Sequence, residues 1–392
     1  MTLTSFQPPK RLLMGPGPSD VHDRVLAAMG RTTIGHLDPE FIRLMDQIKA
    51  HLRAVFLTDN DLTMPISGPA TAGQEATIVN LLEPGDKVVV CVNGVFGGRL
   101  AEMARRAGAE VTTVDQDWGR AVDPEALRAE LKRVGPVKLV AFVHAETSTG
   151  ALSDGETLAK IAHEAGAMVL MDTVTSLAGV PVRIDDWGID ACYSGTQKCL
   201  SCPPGLSPVT FSKRAQDVMN ERQAPVQSWF LDLSLLTGYW SGGAQRAYHH
   251  TAPVNALYGL HESLVMILEE GLESVWARHR RCHEGLVAGL EAMGLTMAVP
   301  AAERVPELNA VRVPEGVDEA GVRRRLLEDH GIEIGAGLGP LAGKIWRIGL
   351  MGQSSRPENV ARCLAALETV LQQSGYQVRP GEATAAAEAV AG

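Results

Sequence analysis

No apolar run in the 392-residue sequence approaches the roughly 20 residues that a membrane-crossing helix needs. The opening, Met1-Thr-Leu-Thr-Ser-Phe-Gln-Pro-Pro-Lys10, lacks the charged and apolar regions of a secretion signal, so the expected location is cytoplasmic. There is no basic block either. Lys and Arg number 36 against 46 Asp and Glu, and this net charge of −10 argues against a nucleic-acid partner, which requires concentrated cations to displace counterions. Cysteine is scarce at six residues, and only Cys199 and Cys202 stand at C-x-x-C spacing. A zinc ribbon needs a second such pair, so these two read as small residues lining a tight turn, without a metal. No G-x-G-x-x-G follows the first strand candidate, which disfavours an NAD-linked oxidoreductase.

What is present is a long globular chain, 45% hydrophobic and 21% charged. Its length exceeds one compact core, so two domains are expected. Asp38-Pro39 reads as an N-cap with Pro at the first helical position. Apolar runs without period-two alternation then appear at Leu62–Ile66, Lys87–Val92, Glu110–Val114, Val137–Val143 and Met168–Met171, with further strands near Ala191–Ser194 and Ser207–Phe211. Strands buried on both faces look like this. Helical stretches separate them at Ala72–Leu82, Gly97–Ala107, Pro124–Val134 and Glu156–Ala165. The alternation predicts an α/β fold with a mainly parallel sheet covered by helices on both sides.

After about residue 252 the pattern changes to long helices, Val254–Glu270 and Leu272–Met293, then a short strand near Leu295–Val299. A smaller α+β unit follows, with strands at Leu308–Val313 and Ile345–Ile348 and helices at Glu319–Asp329 and Glu358–Gln373. The organisation expected is an N-terminal segment over residues 1–20 lying near the active site, a large α/β domain over 21–252, a small domain over 253–375, and a tail over 376–392. That tail is Ala/Glu-rich without apolar periodicity and is expected to be frayed. The Gly335-Ala-Gly-Leu-Gly339 run is followed by Pro340 rather than a helix, so it reads as a flexible loop near the substrate mouth.

Ligands of parallel α/β sheets bind outside the carboxyl ends of the strands, so reactive groups are expected in those loops. Ser67-Gly-Pro-Ala-Thr71 exposes backbone N–H groups at a helix start, which suits a phosphate. It lacks the Lys-Ser/Thr ending of a nucleotide P-loop, and taken alone it reads better as a tight turn with no ligand. Asp172 ends an apolar strand, where an acid needs a cation, a metal or a hydrogen-bond donor beside it. Lys198 lies among Gly, Ser, Thr, Cys and Pro, a setting that buries the amine, lowers its pKa and makes it nucleophilic. An exposed loop lysine is the plain alternative. The order of the three, phosphate-type turn, acid at a strand end, then lysine, matches the demands of pyridoxal 5′-phosphate: a Schiff-base lysine and a charged partner for the ring nitrogen.

The sequence resembles the class V, pyridoxal-phosphate-dependent aminotransferases of fold type I, closest to the branch that transfers amino groups from alanine or serine to glyoxylate. The stretches that carry the likeness are Leu13-Met-Gly-Pro-Gly-Pro-Ser19, Leu82-Glu-Pro-Gly-Asp86, Asn93-Gly-Val-Phe-Gly97, His144-Ala-Glu-Thr-Ser-Thr-Gly150, Tyr193-Ser-Gly-Thr-Gln-Lys198, Tyr248-His-His-Thr251 and Arg347-Ile-Gly349. The resemblance implies that Lys198 bonds the cofactor and shuttles the substrate proton, while Asp172 keeps the pyridine nitrogen protonated. It implies that Val174 and Phe96 cover the two ring faces, Phe96 standing where close relatives often carry Trp. Ala70, Thr71 and Gln197 would hold the phosphate, with Thr71 where relatives can carry His. Thr147 would lie near the ring oxygen and, with Gly17, the substrate. Arg347 would clamp the substrate carboxylate. Tyr248 and Thr251 would reach the phosphate of a neighbouring subunit, which implies a homodimer with shared sites. His249 and His250 read as structural. The reaction implied is a ping-pong transamination from a small amino acid, alanine first, to glyoxylate. A cysteine desulfurase would need a mobile Cys loop in the small domain and usually a His at position 197; Cys363 falls in a helix and position 197 is Gln. A non-catalytic relative would have lost Lys198 or Asp172.

Overall fold

The computed structural model describes residues 3–241 and 246–391. Seven strands form the central sheet: β1 (Leu62–Ser67), β2 (Lys87–Val92), β3 (Glu110–Asp115), β4 (Leu139–Val143), β5 (Met168–Asp172), β6 (Ala191–Tyr193) and β7 (Leu206–Phe211). Their order across the sheet is β1-β7-β6-β5-β4-β2-β3. Pairings among β6, β5, β4, β2 and β3 are parallel, and only β7 runs against its neighbours. β4 and β5 are buried along their whole length, as expected where helices cover both faces. The mainly parallel, helix-covered α/β fold predicted from the apolar runs is the one observed.

Local chemistry fixes the helix boundaries. The Asp38 side chain accepts from the Glu40 N–H and starts Pro39–Phe56, and Asp123 does the same for Pro124–Val134. The helix after β1 begins at Ala70 and runs to Leu81; no side chain caps its first turn, so its leading N–H groups stay available.

A second core belongs to the C-terminal unit. The helix Leu272–Ala292 and the helix Pro357–Gln373 pack beside an antiparallel sheet of β8 (Leu308–Arg312), β9 (Gly335–Ala336) and β10 (Ile345–Gly349), with β10 in the middle. Leu12 and Met14 of the N-terminal segment are buried in this same core, and Leu12–Leu13 pairs in parallel with Ile332–Glu333. The N-terminal segment is thus an added strand of the smaller unit that continues toward the large one.

Three expectations are corrected. The strand near Leu295–Val299 reduces to one bridge, Met297 with Val311, because the chain turns away at Pro300 after two hydrogen bonds. Part of the Gly335–Gly339 run is the edge strand β9 rather than a free loop. A Cβ at Gly335 would stand 2.5 Å from Pro16 Cδ, so glycine here permits close approach of the N-terminal segment. The tail is not frayed: Glu382–Ala391 is a helix, with Ala383 and Ala387 buried against the small unit. It docks through small residues, and a Cβ at Gly289 would come within 2.8 Å of the Ala383 carbonyl oxygen. Small-residue contact carries no strong apolar period, which is why the pattern was silent.

Replacing Gly289 with Leu would drive a side chain into that contact. The expected outcome is a net loss of about 1–2 kcal/mol, overpacking outweighing the gain in helix propensity, read as a lower urea midpoint. An unchanged midpoint would show that the terminal helix does not pack here.

Candidate active site

The carboxyl ends of the parallel strands meet at one cavity. Ala70 and Thr71 follow β1, Phe96 and Arg99 follow β2, Thr147 follows β4, Asp172 and Val174 end β5, and Gln197 and Lys198 follow β6; all of them line it. Eight of the residues singled out in the sequence therefore converge, as the strand-end rule requires.

Asp172 is 4% exposed. The Tyr193 hydroxyl donates to its Oδ2 at 2.5 Å and the Val174 N–H to its Oδ1 at 2.8 Å. Burial pushes its pKa up to about 6, and these two donors oppose the rise by stabilising the charged form. Lys198 is also buried, and its ammonium donates to the Pro16 carbonyl. Burial, followed by the nearby Arg347 guanidinium, pushes its pKa down to about 8. Gly17, at φ +104°, is confined to glycine twice over: a Cβ there would stand 2.7 Å from Lys198 Nζ.

Arg347 leans on the same region from β10. Its Nη1 donates to the Thr147 carbonyl at 3.0 Å and its Nε to the Ala336 carbonyl at 2.6 Å. Two of five donors are fixed in this way, which orients the guanidinium and leaves N–H groups for a carboxylate. Tyr248 and Thr251 lie outside the cavity of their own chain, and Tyr248 is 64% exposed. His249 stacks on Trp229 with ring centres 4.3 Å apart, and His250 Nε2 bonds Ser67 Oγ at 2.8 Å. Cys199 is buried, with its thiol toward the Thr175 carbonyl, and Cys363 is buried within its helix.

Four residues that sequence reasoning left unassigned take part. Tyr193 holds Asp172. Glu146 is fully buried and accepts from the N–H groups of Phe96 (3.1 Å), Gly97 (3.2 Å) and Ser148 (3.0 Å) and from Ser148 Oγ (2.6 Å). It fastens the first turn of the helix Val95–Arg106 and so positions Phe96. Gln74 and Arg99 line the cavity beside Thr71. Glu146 and Tyr193 fall in motif stretches already noted, but their roles depend on neighbours distant in sequence.

The residues present fit a phosphorylated pyridine aldehyde. Gln74 Nε2, a buried amide donor without a partner, and the Gln197 side chain line the same cavity as the uncapped helix start. Gly195 keeps that cradle open: a Cβ there would stand 2.8 Å from Gln197 Oε1 and 2.9 Å from Ala70 Cβ. An amine and a carboxylate complete the donor set.

A family model described as Aminotransferase class-V matches residues 17–347. The chain belongs to the class V aminotransferases. Among relatives of this aminotransferase, (S)-ureidoglycine–glyoxylate transaminase of Bacillus subtilis is 40% identical over 97% of the chain and 95% of its own length. Alanine–glyoxylate aminotransferase of Felis catus is 41% identical over 93% of the chain and 88% of its own length. Of solved structures, alanine–glyoxylate aminotransferase from Nostoc sp. superposes with a TM-score of 0.92 at 49% identity, covering 95% of this chain and 98% of that one.

The low pKa of Lys198 is directly measurable. Amine-selective labelling of cofactor-free protein, mapped by peptide, is expected to titrate at this residue near pH 8, against about 10.4 for an unburied lysine. A midpoint at the ordinary value would show that the amine is not desolvated.

Proposed function

We propose that this aminotransferase uses pyridoxal 5′-phosphate to move the amino group of a small amino acid to glyoxylate, as a homodimer with shared sites. The observation that carries the reading is the burial of an amine, Lys198, and a carboxylate, Asp172, in one cavity at the sheet's carboxyl edge. When bound, the cofactor supplies an aldehyde that condenses with amines and a protonated ring that withdraws electrons from the substrate Cα.

The residues divide the remaining work. Lys198, with a pKa near 8, is partly unprotonated at neutral pH, so its Nζ can attack a carbonyl carbon and, once released, take the substrate Cα proton as a general base. Asp172 presents a carboxylate whose charge is kept by Tyr193 and Val174, which suits a cationic ring nitrogen. Phe96 and Val174 offer flat and branched apolar surfaces to the ring, and Glu146 fixes Phe96. The Ala70 and Thr71 N–H groups and Gln197 would hold the phosphate. Thr147 would serve the ring oxygen and, with Gly17, the substrate. Arg347, held by two carbonyls, receives the substrate carboxylate and selects amino and oxo acids by their shared anionic end.

Glyoxylate as acceptor is supported by the two relatives above, both named for it. Alanine is the first donor on this reading, with serine the close alternative. (S)-Ureidoglycine is a further one, on the strength of the B. subtilis relative. Desulfurase chemistry is disfavoured by the placement of Cys363 inside a packed helix. The shared-site homodimer is supported by the exposure of Tyr248 and Thr251 and of Trp229 (60%) and Phe230 (37%), whose rings pack on the intervening His249 and His250.

Steady-state rates with a panel of amino donors against glyoxylate test the reading. Wild-type protein is expected to turn over with at least one small donor, and Lys198→Ala with none. Failure of glyoxylate with every donor would remove the acceptor from the proposal; undiminished turnover by Lys198→Ala would end the mechanism.

A further inference from the structure

Resting on the cofactor reading above, we infer that Arg99 and Gln74 form the charged and polar outer wall of the phosphate cradle, a role no feature of the sequence had assigned. The phosphate of the cofactor is a monoester carrying close to two negative charges at neutral pH. Placed in a pocket, such a group needs a cation or several donors to replace water. Within one chain the cradle otherwise supplies only neutral groups: two uncapped N–H groups at the start of a 12-residue helix, a threonine hydroxyl and the Gln197 amide; the Tyr248 and Thr251 hydroxyls that a neighbouring subunit would add are neutral too. The helix dipole contributes about half a unit charge, too little to balance the anion.

Two observations point outward from that imbalance. Arg99 and Lys198 are the only cations lining the cavity among the described residues, and Lys198 is committed to the aldehyde. Arg99 is held by no carboxylate among the described residues. Its Nη1 lies 3.5 Å from Thr71 Oγ1 and its guanidinium 5.0 Å from the Phe96 ring centre. Its charge therefore lies beside Thr71, at the helix start where the phosphate would sit, steadied by an aromatic ring instead of an acid. Gln74, one helical turn after Ala70, is 2% exposed, and its Nε2 has no partner while it lines the same cavity. A buried amide donor without an acceptor is costly, and the anion would supply that acceptor. The two side chains approach from different helices, so the phosphate would tie the helix Val95–Arg106 to the helix Ala70–Leu81.

The test separates phosphate contacts from ring contacts. Protein stripped of cofactor is titrated with pyridoxal phosphate and with pyridoxal, which lacks the phosphate, following the change in absorbance on binding. Arg99→Gln is expected to weaken pyridoxal phosphate by about 10- to 100-fold, the worth of one charge-assisted hydrogen bond, and pyridoxal by less than about twofold. Gln74→Leu should shift in the same sense by a smaller factor, and Arg99→Lys should recover part of the difference. Equal weakening of both molecules by Arg99→Gln would assign Arg99 to the ring through Phe96, and no weakening would remove it from the site; either overturns the inference while leaving the cofactor in place. Wild-type protein that takes up neither molecule overturns the cofactor reading and this inference with it.

Discussion

An acid and an amine are kept out of water at the same sheet edge, and most of the architecture serves to make that tolerable. Burial alone would neutralise both groups. Asp172 resists because two donors address its two oxygens, while Lys198 keeps its proton only loosely, beside a second cation, Arg347. The outcome is an asymmetry useful for chemistry near neutral pH: the carboxylate stays charged and the amine is readily free. The supporting contacts come from the loop after β5 (Val174), the end of β6 (Tyr193) and the middle of β10 (Arg347), so the pair depends on the assembled fold.

Around that pair the apolar core sets position and the polar groups set orientation. β4 and β5 are buried throughout, which fixes where Asp172 emerges. Glu146 then spends its hydrogen-bonding capacity on Ser148 and on the first turn of a neighbouring helix. A buried carboxylate with four donors is a framework element, and its effect on the site is transmitted through the placement of Phe96.

Much of this was legible in the sequence, for reasons that can be named. Lys87–Val92 and Pro124–Val134 coincide with observed elements because a two-face buried strand is continuously apolar and an Asp-Pro start is unambiguous. Asp172 and Lys198 stood out since each is a charged residue in surroundings that normally exclude charge. Tyr193, Glu146, Gln74 and Arg99 did not, because a tyrosine in a strand, or a polar residue early in a helix, has many ordinary explanations. Only the fold brings Tyr193 to Asp172 or Arg99 to Thr71. The terminal helix escaped for a different reason: it is seated by Ala383 and Ala387 against Gly289, where shape replaces hydrophobic periodicity.

The N-terminal segment has a mechanical consequence. Leu12 and Met14 donate their backbone N–H groups to the Gly331 and Glu333 carbonyls, and the Met14 carbonyl accepts from Gly349, so this stretch is bolted to the smaller unit. Two residues later, the Pro16 carbonyl receives the ammonium of Lys198, which belongs to the larger one. This short tether thus joins the two units and ends on the reactive nitrogen, as the Arg347 contact with the Thr147 carbonyl joins them on the substrate side. A displacement of the smaller unit would therefore be carried by Pro16 to that nitrogen.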